Sequence, residues 1–262
     1  MPEFSKHAPG TFCWVELATT NQAAAKTFYG SLFGWAPEDV PMGPGETYTL
    51  LKVAGKDVAA LYTMMKEQRD QGVPPNWLPY VSVESADASA EKARSLGGTL
   101  LMGAFDVMDI GRMAVVQDPQ GAVLAVWQPK SHIGFRLAGD PGTFCWPELQ
   151  TTDPSAAGRF YSGLFGWTPK TGSGGGMEYT EWVHGGNPMG GMMQIAKEWG
   201  PVPPHWLVYF AVSDCDAATG KAKSLGGSLT VPPMDIPNVG RFSVISDPQG
   251  AVFALFKPTM PG

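Results

Sequence analysis

Two acidic residues sit where they could do chemistry. Glu16 follows Trp14 by two residues in the run Phe12-Cys13-Trp14-Val15-Glu16-Leu17-Ala18. Glu148 follows Trp146 by two in Phe144-Cys145-Trp146-Pro147-Glu148. The first run alternates as a strand does, and strand parity puts each Glu on the same face as its Trp. A carboxylate buried there must be paired, hydrated or neutral, because unpaired burial is costly. It is therefore a candidate general base or ligand anchor, and equally a candidate for a structural ion pair. The remaining reactive types give weaker signals. Cys13, Cys145 and Cys215 are odd in number and lack C-x-x-C spacing, which argues against a disulfide framework and a zinc knuckle. No cation adjoins them to lower a thiol pKa, so buried reduced thiols are expected. The histidines, His7, His132, His184 and His205, occupy positions that do not repeat; His205 reads as a turn residue, His7 as terminal and His132 as linker. The stretch Gly172–Gly176 lacks the Lys-Ser/Thr of a phosphate loop, and no Gly-x-Ser-x-Gly elbow is present.

The elements that must position these groups occur twice. Thr11-Phe12-Cys13-Trp14 recurs as Thr143-Phe144-Cys145-Trp146, and Phe28-Tyr29 and Phe33-Gly34-Trp35 recur as Phe160-Tyr161 and Phe165-Gly166-Trp167, all 132 residues later. Ser95-Leu96-Gly97-Gly98, Gly111-Arg112 and Asp118-Pro119-Gln120-Gly121 recur 129 residues later. Three residues are thus missing between about Trp167 and Trp206, an interval holding the Gly-rich stretch, where the change is expected. The boundaries predicted are a first domain over 8–130, a linker over 131–140 and a second domain over 141–262. Within each copy a strand leads to a helix, capped by Asn21 or by Asp153 with Pro154 at the first helical position, and stopped by Gly34 or Gly166. Short strands follow near 47–53 and 58–64, and near 179–183 and 189–195 in the second copy. A strand at 78–83 then leads to a second helix, with Asp87 and Asp216 as expected caps. Two closing strands, 112–117 and 122–127, flank the Asp-Pro-Gln-Gly turn. Each copy therefore holds two βαβββ halves, an α+β arrangement.

Composition narrows the class. Of 262 residues, 44% are hydrophobic and 16% charged, which excludes disorder. Eighteen basic against 24 acidic residues give a net charge of −6, with no electrostatic reason to bind nucleic acid or anionic lipid. The first residues hold no apolar signal core, and the run from Leu50 to Met65 is broken by Lys52, Lys56 and Asp57. A cytoplasmic protein with no membrane partner is expected.

The order and spacing of Trp14-Val15-Glu16-Leu17, Thr20, Phe28-Tyr29, Leu32-Phe33-Gly34-Trp35, Gly111-Arg112 and Asp118-Pro119-Gln120-Gly121, nearly all repeated in copy two, resemble the vicinal oxygen chelate superfamily. This is the glyoxalase, bleomycin-resistance and extradiol-dioxygenase fold. The two-copy form with Trp on its first strand is similar to the glyoxalase-like culture-filtrate antigens of mycobacteria. The resemblance implies a curled mixed sheet in each copy, whose concave face forms a cleft. In family enzymes a divalent metal sits there on His, Gln and Glu ligands. The positions that would carry those ligands hold Trp14 and Trp146, Leu78 and Leu207, Ala125 and Ala254, and apolar residues in 59–61 and 190–192. Trp, Leu and Ala offer no N, O or S donor to a metal, so no metal and no cofactor is expected. On this fold Trp14, Glu16 and Tyr80, and their counterparts Trp146, Glu148 and Tyr209, face the clefts. Arg112 and Arg241 lie on closing strands near strand one, as candidate partners for the Glu residues and as ligand contacts.

Three functions remain open on these residues. One is a metal-free protein that binds a small organic molecule in an aromatic cleft. Another is a glyoxalase-like lyase or isomerase with Glu16 or Glu148 as base and Tyr80, Tyr209, Arg112 or Arg241 holding an oxyanion. The third is a structural relic with filled clefts. The duplicated chain already supplies what a dimer of single domains would, so a monomer or a homodimer is expected.

Overall fold

The computed structural model of the chain describes residues 3–174 and 177–259. Gly175 and Gly176 of the Gly-rich stretch lie outside the described residues. Copy one runs β1 (Phe12–Thr19), α1 (Gln22–Phe33), β2 (Ala36–Gly43), β3 (Glu46–Val53), β4 (Lys56–Thr63), α2 (Lys66–Asp70), β5 (Asn76–Ser82), α3 (Ala86–Ser95), β6 (Thr99–Val107), β7 (Gly111–Gln117) and β8 (Val123–Pro129). Copy two runs β9 (Phe144–Thr151), α4 (Pro154–Phe165), β10 (Thr168–Gly174), β11 (Met177–His184), β12 (Asn187–Gln194), β13 (His205–Ala211), α5 (Cys215–Ser224), β14 (Ser228–Ile236), β15 (Gly240–Ser246) and β16 (Val252–Pro258). No helix among the described residues is long and apolar enough to cross a membrane.

Local chemistry fixes the helix ends. The side chains of Asn21 and Asp153 accept the backbone N–H of Ala24 and Ala156 at 3.1 and 2.9 Å. Gly34 and Gly166 take φ of 77° and 74° and turn their N–H back onto Gly30 and Ser162. Helices α3 and α5 are capped two residues earlier than the sequence suggests. Ser85 and Asp214 are the caps, while Asp87 and Asp216 lie in the first turn and are held by arginines.

Each copy is one eight-stranded mixed sheet, in the orders β2-β3-β4-β1-β5-β8-β7-β6 and β10-β11-β12-β9-β13-β16-β15-β14. Its two βαβββ halves meet at the antiparallel β1–β5 or β9–β13 pair, while β1 runs parallel to β4 and β9 to β12. The three missing residues divide between two places. The β2–β3 ladder carries a bulge at Met42, between the Pro41 and Gly43 pairings, that the regular β10–β11 ladder lacks. The other two are lost between β12 and β13, where a single 3-10 turn, Lys197–Trp199, stands in for α2.

The two sheets contact each other through β5 and β13, and α1 and α4 cross to the opposite copy. Tyr29, Phe33 and Trp35 at the end of α1 pack against Phe210 and Phe253 of copy two, with ring centroids 5.2–5.5 Å apart. Trp167 answers against Phe12 at 5.3 Å. These aromatics belong to one continuous core that spans both copies. Polar bonds lock it reciprocally. Tyr29 Oη donates to Asp247 Oδ2 and accepts from Trp77 Nε1, both at 3.0 Å. Tyr161 Oη donates to Asp118 Oδ2 and accepts from Trp206 Nε1, again both at 3.0 Å. The other oxygen of Asp118 accepts the N–H groups of Gln120, Gly121 and Ala122. Two indoles close the ring, Trp35 Nε1 donating to the Gly142 carbonyl and Trp167 Nε1 to that of Gly10. The stretch read as a linker is packed rather than loose, with Phe135 and Leu137 buried in the same core.

Candidate functional site

The concave face of each sheet gathers a directed hydrogen-bond chain. Register places Trp14 opposite Tyr80 and Glu16 opposite Leu78 and Ala60, so these side chains share a face. Trp14 Nε1 donates to Tyr48 Oη at 3.0 Å, and Tyr48 Oη donates on to Glu16 Oε2 at 2.8 Å. Tyr80 Oη donates to the other carboxyl oxygen, Oε1, at 2.5 Å. Copy two repeats the pattern. Trp146 Nε1 donates to Tyr179 Oη at 2.9 Å, Tyr179 Oη to Glu148 Oε2 at 3.1 Å, and Tyr209 Oη to Glu148 Oε1 at 3.0 Å. Gln150, where copy one has Ala18, adds a donor to Glu148 Oε1 at 3.2 Å.

The structure brings Trp14, Glu16 and Tyr80 together in copy one, and Trp146, Glu148 and Tyr209 in copy two. Tyr48 and Tyr179, not among the residues expected from the sequence, complete the two chains. A signal existed, since each is a tyrosine near the start of the strand after the first hairpin, 131 residues apart.

The expected pairing of Arg112 and Arg241 with the Glu residues is not formed. Met113 points to the cleft, with its Sδ 3.9 Å from Tyr80 Oη, so alternation along β7 turns Arg112 to the other face. There its guanidinium forks onto Asp87 of α3 at 2.7 and 2.8 Å and reaches Asp106 at 3.2 Å. Arg241 does the same with Asp216 and Asp235. These arginines tie α3 and α5 to their sheets.

Among the described residues, neither Glu pairs with a Lys or Arg, and burial sets the electrostatics. Burial pushes the carboxyls of Glu16 and Glu148 above the ordinary range, against the tyrosine hydroxyls that favour their charged form. Burial and the neighbouring Glu also push Tyr48, Tyr80 and Tyr209 well above 10, so they remain donors. The indole N–H of each Trp is committed to a Tyr, which leaves the ring face as the surface a ligand would meet. Burial likewise pushes the Cys13 and Cys145 thiols up, away from nucleophilic reactivity.

The positions expected to carry metal ligands fall on this face, and their chemistry does not fit a divalent ion. Tyr80 pairs with Ala125 and Tyr209 with Ala254, Glu16 with Ala60 and Glu148 with Gly191. Their side chains present carbon or hydrogen, and Trp14 presents a committed donor. Among the described residues no three His, Cys, Asp or Glu side chains come together in a metal-holding group.

His132 reaches this site from the stretch that joins the copies. Its ring stands edge-on to Trp14 with centroids 4.9 Å apart. Its Nδ1 accepts the N–H of Gly134, while its buried Nε2 has no hydrogen-bond partner and lies 3.9 Å from Asp57 Oδ2.

The chain is similar to known proteins over nearly its whole length. The model of the Glyoxalase/Bleomycin resistance protein/Dioxygenase superfamily matches residues 11–126 and again 143–255. CFP32 of Mycobacterium tuberculosis (strain CDC 1551 / Oshkosh) is 43% identical over 260 residues, covering 98% of each chain. The anthracycline biosynthesis protein DnrV of Streptomyces peucetius is 36% identical over 261 residues, covering 96% of this chain and 94% of its own. Among solved structures, the Mn(II)-bound glyoxalase of Novosphingobium aromaticivorans superposes with a TM-score of 0.65 at 14% identity, over 95% of this chain and 82% of that one. The 2,3-dioxygenase LapB of Pseudomonas sp. KL28 gives the same TM-score at 10% identity, over 96% and 93%. With the superfamily model matched twice and relatives similar over nearly their whole length, the chain belongs to the glyoxalase, bleomycin resistance protein and dioxygenase superfamily.

Proposed function

We propose that the chain binds a small, flat organic molecule in an aromatic cleft, using hydrogen bonds from a Glu–Tyr cluster in place of a metal. The observation that carries this reading is the pair of tyrosine hydroxyls aimed at a buried carboxyl that, among the described residues, pairs with no Lys or Arg. Such a cluster is a preformed set of polar anchors beneath an indole wall, the usual make-up of a small-molecule site. The relative named for anthracycline biosynthesis suggests the chemical class, a fused planar ring system bearing carbonyl and phenol groups. The protein acts in the cytoplasm as a monomer or homodimer, with a small-molecule ligand and without nucleic-acid or membrane partners. Titration with a dihydroxyanthraquinone, read by quenching of tryptophan fluorescence, tests the reading. Saturable quenching that weakens in a Trp14→Ala, Trp146→Ala double variant is expected. No saturable quenching up to the solubility limit refutes it.

A lyase or isomerase reading is favoured by one observation, the raised carboxyls of Glu16 and Glu148. A carboxyl tuned upward is a better general base near neutral pH, and an adjacent Tyr would hold the oxyanion left after proton removal next to a carbonyl. A Glu16→Gln, Glu148→Gln variant that keeps binding and loses turnover supports catalysis. Unchanged turnover excludes it.

A further inference from the structure

The two clefts have the same anchors and different mouths. In copy one the wall residues Trp14, Met113 and Trp127 are 4%, 9% and 6% exposed. Their counterparts Trp146, Phe242 and Phe256 are all partly exposed. The difference traces to the stretch after β8, which folds back across the first cleft. Trp127 Nε1 donates to the His132 carbonyl at 2.9 Å, and the N–H of Phe135 donates to the Cys13 carbonyl at 2.8 Å. Gly134 lies so close to β1 that a Cβ would fall 2.0 Å from the Cys13 oxygen, at a φ of +107° that itself requires glycine. The His132 ring then meets the edge of Trp14. Among the described residues, no aromatic ring pairs with Trp146 in this way, and Cys145, the counterpart of fully buried Cys13, is partly exposed. Copy two also has bare backbone at Gly191, where a Cβ would strike Tyr179 Oη at 1.8 Å, and the added amide of Gln150 beside Glu148.

We propose that the copies have divided their roles. The cleft of copy two takes the ligand, a planar aromatic lying between Trp146, Phe242 and Phe256 with a carbonyl or phenol edge toward Glu148 and Tyr209. The cleft of copy one is plugged by the segment that joins the copies. The assignment of ligand to cleft two rests on the binding reading above; the plug does not.

Fluorine NMR of the full chain labelled with fluorotryptophan separates the two. The lines of Trp14 and Trp146 are assigned from Trp14→Phe and Trp146→Phe variants. A neutral nitroxide added to the free protein should broaden the Trp146 line and spare that of Trp14. Equal broadening of both lines, or broadening of Trp14 alone, overturns the division. In a Gly134→Ala variant, where the joining segment cannot seat on Cys13, the Trp14 line should broaden as well; if it stays sharp, the segment is not the plug. Titration with the dihydroxyanthraquinone should then shift the Trp146 line alone, at one ligand per chain. A Trp146→Ala variant should weaken binding about tenfold or more. Two ligands per chain, or a shift at Trp14, overturns the assignment to cleft two. If neither line shifts while Trp146 stays open to the nitroxide, the binding reading falls and the plug stands.

Discussion

The hydroxyl of Tyr29 bridges the two copies, and removing it should show how much the bridge contributes. Tyr29→Phe keeps the ring, which stacks on Trp35 and meets Trp77, and deletes one oxygen. Two buried bonds of 3.0 Å vanish with it, one from Trp77 Nε1 and one to Asp247 Oδ2. Asp247 keeps the N–H groups of Gln249 and Ala251 on its other oxygen, so only Oδ2 is orphaned. A neutral buried bond contributes about 1 kcal/mol and one to a carboxylate about 1.5–3 kcal/mol, so the loss should total about 2.5–4 kcal/mol. Urea unfolding at neutral pH measures it as a lower midpoint with an unchanged slope. Tyr161→Phe removes the mirror-image bonds to Trp206 and Asp118, shares no partner with the first, and should cost the same. Together the two losses, about 5–8 kcal/mol, approach the whole stability of an ordinary domain, and the double variant should unfold in separate steps or not fold. A loss below about 1 kcal/mol in either single variant refutes the view that these bonds hold the copies together.

Glu148→Gln should raise the melting temperature at pH 8 and leave it unchanged near pH 4. The native carboxyl holds its proton more tightly than the unfolded one, so its stabilising effect is complete in acid and lost as pH rises through the native pKa. Thermal melts at both pH values check this, and an equal shift at both contradicts it. Arg112→Ala should let the Asp87 carboxyl titrate at higher pH, because the guanidinium that holds it below the usual range is gone, while cleft binding stays intact. Carbon-detected NMR titration and the fluorescence assay read the two effects. Gly111→Ala should destabilise by about 1–3 kcal/mol, since its Cβ would fall 2.1 Å from the Trp127 ring; urea unfolding with no change would argue against that packing. Gly191→Ala should destabilise by about 1–3 kcal/mol in urea unfolding, because its Cβ would fall 1.8 Å from Tyr179 Oη and push that hydroxyl off Trp146 and Glu148, and it should weaken ligand binding for the same reason.

Much of this architecture was legible because the chain carries its own second copy. Trp14 with Trp146 and Glu16 with Glu148 could be placed from strand parity alone, and the helix caps from Asn21, Asp153, Gly34 and Gly166. Strands β2, β6, β10 and β14 were not individually predicted, since they lie at the sheet edges, are mostly exposed and lack alternation. Arg112 was misassigned because closeness of two strands says nothing about face; one residue of parity sends its guanidinium to Asp87 instead of Glu16. The role of Tyr29 was invisible for another reason. Its partner Asp247 lies 218 positions away, and only the packing of one copy on the other brings the pair together. The same holds for His132, whose contact with Trp14 depends on how the joining segment folds back.

The reciprocal Tyr–Asp bridges have an evolutionary consequence. Every half carries both the hydroxyl that is given and the carboxylate that receives it, so the seam is self-complementary in the manner of a two-fold homodimer. An ancestor of half the length would have needed no new contact to associate with itself. Fusion of its gene to a duplicate would have made that association permanent.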